Sequence, residues 1–320
     1  MTASCCADCG KKEGEGGDIN LKTCKSCMGV KYCNAVCQRK HWATHKKQCK
    51  LRAAELRDEA LFKDPPPKED CPICFLPMPL NLISCVSLPP ATVSSVPIHD
   101  YAIANKELAK EGMEEYFVCC GKSICKGCIH SCRESGTRKC PFCNAYRCSK
   151  TNEEMADEIM KRVEANDPAS ICLLANYYNH GLNGYQQDLA KAIELYARAT
   201  DLGFNKAHSL LAEIYHEGGD LKKAKFHYEA AAMAGHEDAR NNHGAMESKS
   251  GNIERAKKHG TIAASAGNYI AMHALITFFK QGIGSRESID STLAACNNSC
   301  VEMRSEARDA YIRDKISETF

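Results

Sequence analysis

Three stretches of this chain align without a gap: Asp188–Ala207, DLAKAIELYARATDLGFNKA; Asp220–Ala239, DLKKAKFHYEAAAMAGHEDA; and Asn252–Ala271, NIERAKKHGTIAASAGNYIA. Each begins 32 residues after the one before. The same interval relates Gly203, Gly235 and Gly267, the alanines 192, 224 and 256, and the alanines 199, 231 and 263. An earlier half-repeat, Leu174-Ala175, Tyr178 and Gly181, recurs 37 residues on as Leu211-Ala212, Tyr215 and Gly218. The five extra residues fall in the turn GLNGYQQD, where a loop tolerates them. Each unit reads as two antiparallel helices. Asp or Asn caps the second helix, alanines permit close approach, and Gly ends it in a left-handed turn. One such pair cannot bury its own apolar face, so neighbours must stack. The expectation is a mainly α fold, a helical repeat solenoid over 168–320.

The repeat degrades toward the C-terminus. The third unit has His243, Glu247 and Ser250 where the pattern wants Leu, Tyr and Gly. A fourth starts at Leu275, Phe279 and Gly282, and its alanines stop after Gly284. Val301–Ile316 is expected to be a capping helix. The segment as a whole resembles the Sel-one-like repeat (SLR), a relative of the tetratricopeptide (TPR) solenoid. The family's activity is scaffolding, so the resemblance implies adaptor work and no chemistry.

The first half of the chain is built differently. Of 22 cysteines, 19 lie within the first 148 residues. The N-terminus, Met1-Thr2-Ala3-Ser4-Cys5, has no basic stretch followed by an apolar run, and so no secretory signal pattern. The apolar stretch Leu80–Ile98 is broken by Pro89, Pro90 and Pro97, which argues against a membrane span. An intracellular location, cytoplasmic or nuclear, is expected. There thiols stay reduced, and Cys-x2-Cys pairs favour metal over disulfides. Formal net charge is only +2, which points to neither nucleic acid nor membrane.

Residues 6–49 contain eight potential ligands: Cys6-x2-Cys9, Cys24-x2-Cys27, Cys33-x3-Cys37 and His45-x3-Cys49. A short Cys-x2-Cys turn places two thiolates on one ion, and His and Cys four apart on a helix share a face. Two Zn²⁺ ions account for all eight groups, although spacing alone leaves consecutive and interleaved sites both open. Cys5 is a spare thiol beside Cys6, and His41 is a possible substitute for His45. The strings CADCGK, CKSCMGVKYCNAVCQRKHW and HKKQC resemble the MYND zinc finger. The resemblance implies interleaved pairs, with Cys6, Cys9, Cys33 and Cys37 on one ion and Cys24, Cys27, His45 and Cys49 on the other. It also implies a protein partner, a proline-containing peptide, at Gln38 and Trp42. Trp42 is either that platform or a residue packed on the finger's own helix. A helix over Leu51–Phe62 and Pro65-Pro66-Pro67 form a linker across 50–67.

Residues 68–148 supply eight more thiols: Cys71, Cys74, Cys119, Cys120, Cys125, Cys128, Cys140 and Cys143. The strings CCGKSICKGC and KCPFC resemble an eight-cysteine RING finger. Its cross-brace implies one ion on Cys71, Cys74, Cys125 and Cys128 and a second on Cys119, Cys120, Cys140 and Cys143. Together with the first module this makes about four structural zinc ions. Ubiquitin ligases of the RING family recruit an E2 enzyme through an apolar patch, which here corresponds to Ile73, Ile129, Pro141 and Phe142. Two features depart from the family. The gap from Cys74 to Cys119 is long, with a helix expected over Tyr101–Glu115. Asn144 stands where a basic residue often follows the last ligand, with Arg147 three residues late. Cys85, Cys132 and Cys148 are extra thiols that could replace a ligand. Thr151-Asn152-Glu153-Glu154 has the capping-box pattern and opens a connecting helix within 149–167.

Taken together, these readings favour a non-catalytic zinc-binding adaptor. A RING-type E3 ubiquitin ligase that selects its substrate through the repeats is the alternative. A conventional enzyme has little support, because no catalytic SET domain accompanies the finger and fully ligated zinc leaves no open coordination position.

Overall fold

The computed structural model describes residues 5–14, 19–79, 112–146 and 152–319. The chain divides into two compact units, Met1–Lys63 and Asp64–Phe320.

In the first unit a two-residue hairpin, β1 (Lys22–Thr23) against β2 (Lys31–Tyr32), leads into one long helix, α1 (Ala35–Leu61). Asn34 starts the helix by accepting hydrogen bonds from the backbone N–H groups of Val36 and Cys37. The separate helix expected at Leu51–Phe62 is therefore the continuation of the finger's own helix. No Pro or Gly interrupts α1, and ion pairs from Arg52 to Glu55 and Glu59 lace its exposed side. The core of this unit is small. Its buried residues are Leu21, Tyr32 and the cysteines 6, 24, 27, 37 and 49.

The second unit opens with a hairpin, β3 (Glu114–Phe117) and β4 (Lys122–Cys125), followed by α2 (Lys126–Glu134). This corrects the end of the helix expected over Tyr101–Glu115. Glu114 and Glu115 pair in register with Cys125 and Ile124 as strand, and residues 101–111 lie outside the described part. Helix pairs follow: α3 (Asn152–Glu164), α4 (Pro168–His180), α5 (Leu189–Asp201), α6 (Asn205–Glu217), α7 (Leu221–Met233), α8 (Glu237–Lys249), α9 (Ile253–Ser265), α10 (Tyr269–Lys280), α11 (Arg286–Glu302) and α12 (Glu306–Thr319). The pairs α4–α5, α6–α7 and α8–α9 each pack tightly and stack on the next, as a helical repeat solenoid requires.

The repeat signature is realised residue by residue. Asp188 and Asp220 accept from the N–H groups of Lys191 and Lys223. Gly203, Gly235 and Gly267 all take positive φ, between 86° and 98°. The alanines at 199, 231 and 263 are fully buried. Asn252 departs from its expected cap role and donates instead to Glu247 at 2.7 Å. The expected C-terminal helix is also displaced. Val301 still belongs to α11, and α12 begins only at Glu306.

The weak third unit buries a polar layer where its neighbours bury apolar side chains. The rings of His243 and His259 meet edge to face at 4.3 Å, and both residues are fully buried. Glu247 lies 3.4 Å from His243 and accepts from Lys225 at 2.6 Å. Burial pushes His243 down to about 4 and His259 down to about 3, so both are neutral at neutral pH. No helix among the described residues is long and apolar enough to cross a membrane.

Candidate metal centres

Four tetrads of ligand atoms come together, each within 4.8 Å. They are Cys6, Cys9, Cys33 and Cys37; Cys24, Cys27, His45 and Cys49; Cys71, Cys74, Cys125 and Cys128; and Cys119, Cys120, Cys140 and Cys143. The two alternatives that spacing left open are thereby separated, because in both modules the interleaved grouping is the one built.

Local structure explains how each ligand is placed. In the first module the chain turns back after Cys6, whose N–H donates to Lys11 O and whose carbonyl accepts from Gly10 N. Cys33 directly follows β2, and the Asn34 cap sets Cys37 in the first turn of α1. His45 and Cys49 stand one turn apart on the buried face of the same helix. His41 is engaged elsewhere, with Nδ1 at 3.0 Å from the Tyr32 hydroxyl and its ring stacked on His45. Cys5 forms a β-bridge to Lys12 and joins no tetrad.

In the second module two equal knuckles hold the outer ligand pairs. Phe75 N donates to Cys71 O, and Asn144 N to Cys140 O. Phe75 and Asn144 both adopt left-handed backbone, with φ of 55° and 63°. Asn tolerates that conformation better than most residues, which gives the residue after the last ligand a structural role. Cys119 and Cys120 occupy the β3–β4 turn, and Cys125 and Cys128 flank the start of α2. Cys132 belongs to no tetrad, and Cys85, Cys148 and Arg147 lie outside the described residues.

The separations fit zinc. A tetrahedral ion with Zn–S bonds of about 2.3 Å puts sulfurs roughly 3.8 Å apart, whereas a disulfide needs about 2.05 Å. The pairs Cys9–Cys33, Cys33–Cys37 and Cys24–Cys49 stand at 3.6, 3.5 and 3.7 Å. Cys71–Cys128, Cys74–Cys125, Cys120–Cys140 and Cys119–Cys143 stand at 4.0, 3.9, 3.8 and 3.5 Å. Cys27 Sγ lies 3.3 Å from His45 Nε2. Electrostatics agree. Burial pushes Cys24 up, but backbone N–H groups of Cys27 and Ser26 and the His45 side chain bring it down to about 6. Burial and the neighbouring Cys24 and Cys27 thiols hold Cys49 up at about 12. Sulfurs this close cannot all ionise without a shared cation. Bound zinc would supply charge neutralisation and cross-linking, and four protein ligands per ion leave no position for a reactive water.

The expected partner-facing residues separate into two groups. Gln38 and Trp42 lie on the exposed side of α1, one turn apart, and Trp42 is 42% exposed with its ring steeply tilted against that of His45. Ile73 and Pro141 are half-buried and Phe142 is 47% exposed. Ile129 is a correction. It is buried in the module's core with Phe117 and Ile124, because the hairpin folds over that face of α2. Two long-range residues escaped the sequence reading. Lys68 pairs with Glu237, and the Arg308 guanidinium reaches the first knuckle.

Residues 6–49 match the family model described as the MYND finger. Among solved structures, a Sel1 repeat protein from Oxalobacter formigenes aligns with a TM-score of 0.43 and 21% identity, covering 56% of this chain and 72% of that one. A protective antigen of uropathogenic Escherichia coli displaying an SLR fold aligns with a TM-score of 0.39 and 17% identity, covering 60% of this chain and 44% of that one.

Proposed function

We propose that a chain carrying a MYND finger at residues 6–49 ahead of a helical repeat array is a zinc-stabilised scaffold inside the cell, holding four structural ions and gripping a proline-containing peptide through the finger. The observation that carries this reading is Trp42. A large indole left in solvent one turn from Gln38, on a helix anchored by two metal-binding tetrads, is a rigid aromatic surface of the kind that proline rings pack against. Because Trp42 is the only tryptophan in the chain, its emission reports docking directly. Titrating proline-containing peptides into the zinc-loaded protein is expected to shift that emission saturably. Trp42→Ala is expected to weaken binding, measured by calorimetry, by at least about tenfold, in line with a hot-spot aromatic. Undiminished affinity in Trp42→Ala, with the metal count intact, would sink the reading.

A second reading is favoured by one observation. Both knuckles of the RING-like module project aromatic side chains into solvent, Phe75 at 76% and Phe142 at 47% exposure. Such a patch would suit an E2 enzyme, with the module acting as a ubiquitin ligase that holds two partners in reactive geometry. The assay is autoubiquitination across a panel of E2 enzymes. Chains formed by the wild type and lost in Ile73→Ala would support ligase activity, and no chains with any E2 would leave the scaffold reading alone.

A further inference from the structure

Arg308, near the start of α12, is fully buried. Its Nη1 donates to Pro77 O at 2.8 Å and to Met303 O at 2.5 Å, and its Nη2 reaches Leu76 O at 3.3 Å and Cys74 Sγ at 3.4 Å. The guanidinium therefore addresses one of the four thiols of a tetrad, that of Cys74, from a helix more than two hundred residues away in sequence.

The approach is built into the packing. A Cβ on Gly127 of α2 would lie 2.7 Å from Arg308 N and Cα, so only glycine lets α12 come this close. His130 Nε2 and Asp314 Oδ2, at 2.7 Å, and the ring contact between His130 and Tyr311 hold the rest of α12 along α2.

Four thiolates around Zn²⁺ carry a net charge of about −2, and burying that charge is costly unless cations or donors answer it. We propose that Arg308 is the outer-shell partner of the Cys71, Cys74, Cys125 and Cys128 site, so that the far end of the repeat array governs how tightly that one ion is held. The inference rests on the reading of this tetrad as a zinc site. An N–H donor on a thiolate drains charge from sulfur and shields it from protons and competing chelators. Arginine suits the task because its planar fork keeps its charge in a buried place and can serve three carbonyls and a thiolate together.

The test uses the full-length zinc-loaded protein, with release followed by a chromogenic chelator and by native mass spectrometry. Cys71→Ser identifies the ion by losing it outright. In Arg308→Met the same ion is expected to leave at least about tenfold faster, the usual cost of removing an outer-shell partner, while the other three keep wild-type rates. Asp314→Ala removes the exposed pair with His130, leaves the contacts of Arg308 itself in place and is expected to leave release unchanged. If Arg308→Met does not fold, Arg308→Lys with cadmium in place of zinc gives the second readout. The ¹¹³Cd resonance of this site should move and the other resonances should stay. Wild-type release in Arg308→Met, equal acceleration in Asp314→Ala, or an unmoved cadmium resonance in Arg308→Lys overturns the proposal. If Cys71→Ser loses no ion, the zinc reading of this tetrad falls as well.

Discussion

Removing zinc from the first unit is expected to unfold it outright, with Trp42 emission moving to that of a solvated indole and the helical signal of α1 lost. Five of its seven buried core residues belong to the two tetrads, and besides Leu21 and Tyr32 only the partly buried Ala7, Ile19 and Val30 would remain to hold residues 5–49 together. Structural zinc contributes on the order of 10–16 kcal/mol to small finger domains, more than any core of that size can replace. Cys24→Ser should do the same by releasing one ion, counted by native mass spectrometry. The apolar layers of the repeat array are built mainly of Ala, Leu, Ile and Tyr, and no residue of the tetrads is among them. Most of the circular-dichroism signal of α3–α11 should therefore survive the chelator. A finger that kept its Trp42 emission after chelation would contradict metal as its organising element.

The second large effect is expected at Lys68. Its ammonium pairs with Glu237, which is 2% exposed at the start of α8, and also donates to Ala266 O at 2.9 Å. Lys68→Ala leaves a carboxylate buried without its cation, and removing one partner of such a pair costs about 3–5 kcal/mol. The loss should depend on pH in a defined sense. Burial raises Glu237 to about 7 from an ordinary 4.5, with Lys68 pulling the other way. A raised carboxyl binds its proton more tightly in the folded state, so this group's contribution to stability falls as pH climbs from about 4.5 to about 7. Without Lys68 the folded-state value should climb further. The deficit in Lys68→Ala should then be small near pH 5, where the acid is neutral, and largest near pH 8. Thermal melts at the two pH values measure this, and Glu237→Gln added to Lys68→Ala should recover most of the loss at pH 8. An equal deficit at both would show that Lys68 acts by packing and not by charge.

The register of the array was legible because the repeat places the same small residues at the same helix–helix contacts, and a buried alanine tolerates little else. The ligands were legible because zinc demands fixed residue types at short spacings. Their interleaved grouping was implied by the family resemblance and not by spacing, since it depends on β2 and α1 bringing Cys33 and Cys37 back to Cys6 and Cys9. The expected helix ran on into Glu114 and Glu115, where only pairing with Cys125 and Ile124 marks them as strand. The burial of Ile129 was hidden for a similar reason, since a single Ile after a ligand looks the same whether it faces solvent or a hairpin. Lys68 and Arg308 carried no signal at all. Each is one charged side chain in an unpatterned stretch, and its role is fixed by a contact with distant backbone.

The contact between Cys74 and Arg308 joins residues 234 positions apart. Closing so long a loop is entropically slow, and contacts of this reach form after local helix pairs have consolidated. An order of assembly is expected from this: neighbouring repeats consolidate from local contacts, and the first knuckle gains its Arg308 donor only when α12 docks.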